Sequence, residues 1–320
     1  MYTIKYIVKR IGLMLLTFSL IMLTCFVLIK MLKIPLGEGL GTDKKLVEME
    51  LRARGYYDPI LVQLWNYLKR IVTKGDFGIG TNMPGYANVP VWKGFISRLP
   101  PTILINVYSS LIGVPIGLGL GILAALKKNK WQDQLISTGV IVMIAVPSIV
   151  YAFLIQYVFC FQLGWFPLRM ESGTDYFSWG MFRSMIPAVL SLCFGSIAGY
   201  ARYTRAELTE VLTSEYLLLA RTKGLTRGQT TLRHALRNAM VPIFPMILGE
   251  FVSVLSGSMI IEAVFDIPGV GGLYLKSITV LDYDFFMLLS GFYTLVSLTA
   301  GIIIDISYGI IDPRIRMGAK

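Results

Sequence analysis

Charge is scarce in this sequence of 320 residues, because aspartate, glutamate, lysine and arginine together make up only 15% of it. A soluble globular domain carries roughly 25% charged residues. Hydrophobic residues make up 55%, and many of them fall in long runs. A membrane-spanning helix needs about 20 such residues in succession. Both properties exclude an ordinary soluble domain and indicate an integral membrane protein.

Cysteine and histidine are also few. The three cysteines, Cys25, Cys160 and Cys193, lie in or beside apolar runs without C-x-x-C spacing. We interpret them as packing residues, neither a disulfide framework nor metal ligands. The single histidine, His234, has no neighbouring cysteine or acidic cluster, which predicts a surface or interface position and no metal site.

Motifs for catalysis and for nucleotide binding are missing as well. There is no G-x-x-x-x-G-K-[ST] phosphate loop, and the superficially similar segment Gly271–Ser277 lacks the glycine before Lys276. Neither G-x-S-x-G nor H-E-x-x-H occurs. We therefore predict that the chain is not an enzyme and binds no cofactor or metal. If ATP drives the protein, another subunit must bind it.

The formal net charge of +11 would suggest nucleic acid in a soluble protein. In a membrane protein the simpler interpretation is that basic residues flank helices and mark cytoplasmic loops. No basic stripe is interleaved with aromatic residues in a soluble context. We predict contact with membrane lipid and none with nucleic acid.

Six apolar segments predict an all-α fold with six transmembrane helices. They cover residues 11–32, 101–126, 134–159, 185–202, 239–262 and 285–309. The first run is longer than a signal-peptide core and has no cleavage site, so we predict that it is retained. Within the core 101–309, the glycines Gly113, Gly117 and Gly121 predict a close approach of two helices. Pro115, Pro147 and Pro187 predict local kinks.

Basic residues in the loops 127–133 and 203–238 predict that both loops face the cytoplasm. The N-terminal residues 1–10 and the tail 310–320 would then be cytoplasmic too. Residues 33–100 become a long external loop, in which near-helical spacing of apolar side chains predicts a helix over 58–74 on the membrane surface.

Two acidic residues fall inside the predicted spans, where ionisable side chains are candidates for function. Glu250 would either meet a substrate amine in a water-filled path or hydrogen bond to a neighbouring helix, and the sequence leaves both open. Asp305 lies nearer the membrane boundary and is predicted to pair with a base or to cap a neighbouring helix.

The polar segment that precedes the fifth span has clear helix signals. Glu215 begins a run without helix breakers, and Gly224 falls where a helix end favours a left-handed residue. Thr226 and Gln229 have the spacing of a capping box, which starts a second helix toward Pro242. A first helix this short is marginal in water. Either a partner protein covers it, or the segment is only a basic membrane-surface loop.

The same segment resembles the cytoplasmic coupling loop of ABC importer permeases. Glu215, Ala220 and Gly224, with a later Pro242, match that pattern, although Tyr216 replaces its first alanine. Three further segments resemble the oligopeptide/dipeptide/nickel permease branch, and the resemblance covers nearly the whole chain. These are Ala220-Arg221-Thr222-Lys223-Gly224-Leu225, Arg233-His234-Ala235-Leu236-Arg237-Asn238-Ala239 and the external motif Glu262-Ala263-Val264-Phe265-Asp266-Ile267-Pro268-Gly269-Val270-Gly271. Leu99-Pro100-Pro101-Thr102 and Asp312-Pro313-Arg314 agree with it.

The resemblance implies a type I ABC importer permease in a bacterial cell (inner) membrane, with oligopeptides as the expected substrate. It implies a homologous second permease, two cytoplasmic ABC ATPases and an extracellular or periplasmic solute-binding protein as partners. Dipeptide, nickel or metallophore, and glycoside transport remain alternatives within the family. The rivals outside it are an ion-driven secondary transporter and a non-transporting structural or sensory membrane protein.

Overall fold

The computed structural model describes residues 2–32, 48–49, 52–53 and 55–311, and these residues form helices joined by turns. Residues 33–47 of the predicted external loop and the motif at 312–314 lie outside the described residues. The first helices are α1 (Tyr2–Met31), α2 (Ile60–Lys74), α3 (Val91–Leu126), α4 (Trp131–Ala145), α5 (Ser148–Ile155, continued by the π-helix Gln156–Gln162) and α6 (Trp179–Leu212). The later helices are α7 (Glu215–Thr222), α8 (Arg227–Thr230, followed by the π-helix Thr231–Ala235), α9 (Leu236–Ser253), α10 (Met259–Val264), α11 (Val270–Thr279) and α12 (Tyr283–Ile311).

The all-α membrane fold predicted from the sequence is confirmed, but the third predicted span is not a single helix. Among the described residues, five helical segments are long and apolar enough to span a membrane, and α4 with α5 counts as a sixth only if the two are taken together. These two helices meet at an angle of 98°. Val146 is extended because the ring of Pro147 disfavours helical geometry in the residue before it. Pro147 thus produces a sharp turn where the sequence predicted a local kink.

The second span begins earlier than predicted. Helix α3 starts at Val91 and runs through Pro100 and Pro101, whereas the sequence predicted that the external loop ends at 100 and the span begins at 101. Val91 and Phe95 are fully buried in a cluster with Phe285 of α12. Tertiary packing therefore maintains helical backbone across two residues of low helix propensity.

Other predicted ends also shift. Helix α1 begins at Tyr2, so residues 2–10 are helical, since nothing between Tyr2 and Ile11 breaks a helix. Helix α6 extends to Leu212, ten residues beyond the predicted end of the fourth span at 202. The fifth span is interrupted at Gly257, which has a φ of 67° that ordinary helix does not allow.

Helices α3 and α6 approach closely along the predicted glycine stripe. A methyl group on Gly113 would lie 2.9 Å from the Ser196 side chain, and one on Gly117 would lie 2.8 Å from the carbonyl of Ile197. One on Gly121 would lie 2.6 Å from Thr204. The stripe packs two backbones against each other, as small residues do in membranes.

The acidic residues at the start of α12 bind the predicted external loop to the transmembrane helices. One carboxylate oxygen of Asp282 accepts hydrogen bonds from the backbone N–H groups of Thr81, Asn82 and Met83, at 2.7, 2.9 and 3.0 Å. Asp284 pairs with Arg70 of α2 at 2.8 Å. Burial acts to lower the pKa of Arg70, but the charge and hydrogen bond of Asp284, with smaller contributions from Asp76 and Tyr67, together raise it. This guanidinium therefore stays charged. Asp284 therefore attaches α2 to the start of α12, and Asp282 attaches the loop that follows α2.

Candidate coupling segment and buried acidic sites

Helix α7 is attached to the rest of the protein through one face. Leu217 is 1% exposed and packs in a cluster with Leu208, Ala235 and Ala239. The Tyr216 hydroxyl accepts a hydrogen bond from Nδ2 of Asn238 at 2.8 Å. An intramolecular core for this helix was not evident from the sequence, because the partners of Leu217 lie on α6, on the π-helical turn Thr231–Ala235 and on α9.

The opposite face of α7 is open and partly apolar. Leu218 and Leu219 are 64% and 57% exposed, and Glu215, Arg221 and Lys223 are exposed beside them. Among the described residues nothing covers these two leucines. Exposed large side chains on a short helix at the end of a membrane core have the character of a docking surface.

The turn after α7 has the predicted geometry. Gly224 has a φ of 88°, in the left-handed region, and its N–H donates to the carbonyl of Arg221 at 3.0 Å. Leu225 N–H donates to the carbonyl of Ala220, which completes the helix end. A methyl group on Gly224 would meet no atom within 4 Å, so the glycine is required by backbone conformation and not by space.

A continuous helical segment connects this turn to the membrane. Thr226 and Gln229 form the predicted capping box, with side-chain to backbone bonds of 3.3 and 3.0 Å. The π-helical turn Thr231–Ala235 joins α8 to α9, and Pro242 lies inside α9. Helical backbone is therefore continuous from Arg227 to Ser253.

Glu250 lies where α3, α6 and α9 meet. Its Oε1 atom accepts hydrogen bonds from the hydroxyls of Ser196, at 2.8 Å, and Ser110, at 3.4 Å. Oε2 has no hydrogen-bond partner in the described part of the chain, and the residue is half-buried. Of the two roles that the sequence left open for Glu250, the hydrogen bond to a neighbouring helix is observed. Its Oε2 atom remains available to another group.

Glu262 of the external motif is the centre of a buried polar cluster. It is 3% exposed, and its Oε1 accepts from the hydroxyl of Thr102 at 2.8 Å, while Oε2 accepts from the N–H of Gly272 at 3.0 Å. Thr102 in turn accepts from the N–H of Val270 at 2.9 Å. The cluster thus joins α3, α10 and α11.

The glycines of this motif make room for the Glu262 carboxylate. A methyl group on Gly269 would collide with that carboxylate, and one on Gly271 would lie 2.8 Å from Oε2. Phe265 is 1% exposed, and its carbonyl accepts from the N–H of Met170 at 3.1 Å. Pro268 lies between Phe265 and Gly269 and is partly buried. The motif is therefore a structural joint built around one acid.

The predicted site residues fall into separate places. The coupling residues cluster around α7 and the start of α9, whereas the Glu262 motif lies beyond the far end of α9. Ser110 and Ser196 were not among the predicted residues, because single hydroxyl side chains in apolar runs carry no sequence signal until their acidic partners are located. Thr102 belongs to the motif at 99–102, but its hydrogen bond to Glu262 was not predicted. Asp305 pairs with Arg10 at 2.9 Å, which confirms the prediction that it meets a base.

Comparison with known proteins places this architecture in a family. Residues 117–317 match the profile of the family described as "binding-protein-dependent transport system inner membrane component". The dipeptide transport system permease protein DppB of Lactococcus lactis subsp. cremoris is 33% identical over 98% of this chain and 100% of its own length. The glutathione transport system permease protein GsiC of Escherichia coli K12 is 31% identical over 98% of this chain and 99% of its own.

Two solved structures share the fold. An amino acid ABC transporter has a TM-score of 0.52 and 22% identity, and covers 67% of this chain and 92% of its own. The methionine ABC transporter MetNI has a TM-score of 0.51 and 17% identity, and covers 68% of this chain and 98% of its own. An ion-driven transporter, the more distant reading of the sequence, finds no support here. The chain belongs to the binding-protein-dependent transport system inner membrane component family, and it is a multi-pass permease subunit of an ABC importer that is not itself an enzyme.

Proposed function

We propose that this permease imports short peptides, with a homologous second permease completing the pathway. The observation that carries the substrate class is the full-length similarity to permeases named for dipeptides and for glutathione, itself a small peptide. The oligopeptides predicted from the sequence represent longer substrates of the same chemistry. Nickel complexes and glycosides are the competing substrates.

The open face of α7 is proposed to dock one of the two cytoplasmic ATPases of the complex, which bind the ATP and Mg²⁺. Leu218 and Leu219 supply the apolar contacts, and Arg221 and Lys223 supply charge. With α7 on the cytoplasmic side, both chain termini would also be cytoplasmic and the loop around Asp282 would lie outside the bacterial cell membrane. A solute-binding protein would deliver substrate to that outer side.

Coupling would follow from the way α7 is attached. Closure of the ATPase pair displaces α7, and Leu217, the Tyr216–Asn238 hydrogen bond and the continuous segment from Thr226 transmit the displacement to α9. Glu250, fourteen residues after Leu236 on α9, would move with it relative to Ser196 and Ser110. The ATPase contact on α7 and the site around Glu250 would then both depend on the position of α9, and such a shared two-state element is what allosteric coupling requires.

Uptake competition tests the proposed substrate. The complete transporter, reconstituted in vesicles with its ATPases and binding protein, is expected to import a labelled tripeptide with ATP. Unlabelled di- and tripeptides should compete, whereas chelated nickel and a glycoside should not. If chelated nickel competes and the peptides do not, the substrate is a metal complex and the assignment to peptides is wrong.

The role of Glu250 is tested by Glu250→Gln. The amide oxygen of glutamine still accepts from Ser196 and Ser110, so we expect the fold to persist while the charge is lost. If Oε2 meets the substrate amine, uptake of peptides with a free amino terminus should fall about tenfold or more, as expected for one charge-assisted hydrogen bond. N-acetylated peptides, which lack that positive charge, should be affected much less.

Ser196→Ala is the matched control for this variant. It removes a hydrogen bond to Oε1 but keeps the carboxylate, so discrimination between free and acetylated peptides should survive. Unchanged uptake and unchanged preference in Glu250→Gln would remove Glu250 from the pathway.

A further inference from the structure

A cavity of about 270 Å³ lies between the end of α1, helix α2 and the start of α12. Aromatic rings form much of its wall, and the side chains of Lys30, Arg70, Gln63 and Asp284 face it. It is separate from α7, Glu250 and Glu262. None of these four polar residues has a role in the coupling or transport described above.

The cavity holds more positive than negative charge. Nζ of Lys30 lies 4.2 Å from the ring centroids of both Tyr56 and Tyr283, and within the described ranges it pairs with no carboxylate. Arg70 uses Nη2 to bind Asp284. Two cations therefore share one acid, which leaves a surplus of one positive charge in a partly apolar space.

Two buried polar atoms in the wall have no protein partner among the described residues. They are Nε of Arg70, a donor, and Oε1 of Gln63, an acceptor. The amide nitrogen of Gln63 is already used, donating to the carbonyls of Tyr56 and Asp58 at 3.0 and 2.7 Å. Buried polar atoms without a partner are uncommon in folded proteins, and a bound ligand is one way to satisfy them.

The cavity lies at the end of a candidate membrane span, Tyr6–Met31. Lys30 lies in the last turn of α1, whose Leu20, Leu23 and Leu28 are exposed along the span. Helix α2 exposes a stripe of apolar side chains at helical spacing on one face. These are Leu61, Trp65, Leu68 and Val72. An amphipathic helix of this kind lies in the interface between headgroups and acyl chains.

We propose that this cavity binds the phosphate group of a phospholipid headgroup. Phosphate oxygens only accept, and would receive hydrogen bonds from Nζ of Lys30 and Nε of Arg70. Oε1 of Gln63 would accept from a headgroup hydroxyl or ammonium group beside the phosphate. The acyl chains would follow the exposed leucines of α1. Basic pockets between membrane helices bind lipid phosphates in this way.

The test uses the full-length permease, purified in detergent with its co-purifying subunits and then delipidated. Thermal unfolding is followed during titration with short-chain phosphatidylglycerol, with the matching diacylglycerol, and with inorganic phosphate. We expect stabilisation by the phospholipid, none by the diacylglycerol, and a much weaker effect of inorganic phosphate.

Three variants locate the site. Lys30→Gln should weaken the apparent affinity for phosphatidylglycerol about tenfold or more, the value of one charge-assisted hydrogen bond. Lys30→Arg should retain it, which separates loss of charge from loss of fold. Lys74→Gln removes an exposed lysine at the end of the same helix α2, outside the cavity, and should change nothing.

Equal phospholipid affinity in the wild type and in Lys30→Gln would overturn the site. Equal stabilisation by inorganic phosphate and phosphatidylglycerol would overturn the assignment to lipid, because a free anion would then suffice. Stabilisation by diacylglycerol alone would show that only the apolar groove binds, and would overturn the phosphate contact.

Discussion

Gly224→Val is expected to reduce peptide uptake and peptide-stimulated ATP hydrolysis to background while the protein remains in the membrane. Gly224 has a φ of 88°, and a β-branched residue is a genuine outlier there. The strain of roughly 1–3 kcal/mol is relieved by changing the angle between α7 and the segment from Thr226. The measurements are uptake and ATPase activity in vesicles, with the amount of inserted protein determined in parallel.

Gly228→Val is the matched control. Gly228 is four residues further on, lies in ordinary helix and also has nothing within 4 Å of an added methyl group. Because neither conformation nor space requires a glycine there, uptake should remain close to that of the wild type. Gly224→Asn should retain more activity than Gly224→Val, since asparagine enters the left-handed region more readily. Normal uptake in Gly224→Val would exclude this turn from coupling.

Glu262→Ala is expected to cause the largest loss of stability. The carboxylate is the acceptor for the Thr102 hydroxyl and for backbone N–H groups of α11, all deep in the protein. Each buried donor that loses its acceptor costs roughly 1–3 kcal/mol. The joint between α3, α10 and α11 should open, and the yield of monodisperse protein in detergent and its unfolding temperature should both fall sharply.

The glycines around the carboxylate provide a paired test of the same cluster. Gly269→Ala would push a methyl group into Glu262, whereas Gly272→Ala would place one no closer than 4.0 Å to any atom. Gly272→Ala keeps the N–H that donates to Glu262, so its unfolding temperature should match the wild type, while Gly269→Ala should resemble Glu262→Ala. Equal stability of the two alanine variants would contradict the crowding around Glu262.

Local signals in the sequence were sufficient for the coupling segment. The capping box of Thr226 and Gln229 and the left-handed Gly224 depend on residues within a few positions of each other, so propensity and spacing determine them. The helix predicted over 58–74 is observed over Ile60–Lys74 for the same reason. The family resemblance then identified the class of protein, which the local signals alone left open.

Contacts between distant parts of the chain could not be predicted. The burial of Leu217 depends on Ala235 and Ala239 across a turn, and the extension of α3 back to Val91 depends on Phe285. The 98° bend required more than Pro147 itself, because proline in other spans, such as Pro187 in α6, leaves the helix continuous. Tertiary packing decides between these outcomes.

The three hydrogen bonds to Asp282 have a consequence for biosynthesis. Thr81 and Asp282 are 201 positions apart, so the acceptor does not exist until these further residues have been translated. At about 5–20 residues per second, a ribosome needs roughly 10–40 s to make the intervening chain. During that interval the amides of Thr81, Asn82 and Met83 have no carboxylate to bind. A nascent chain that stalls before α12 would expose this loop to proteases without the contacts that hold it, so synthesis of α12 determines when the loop becomes protected.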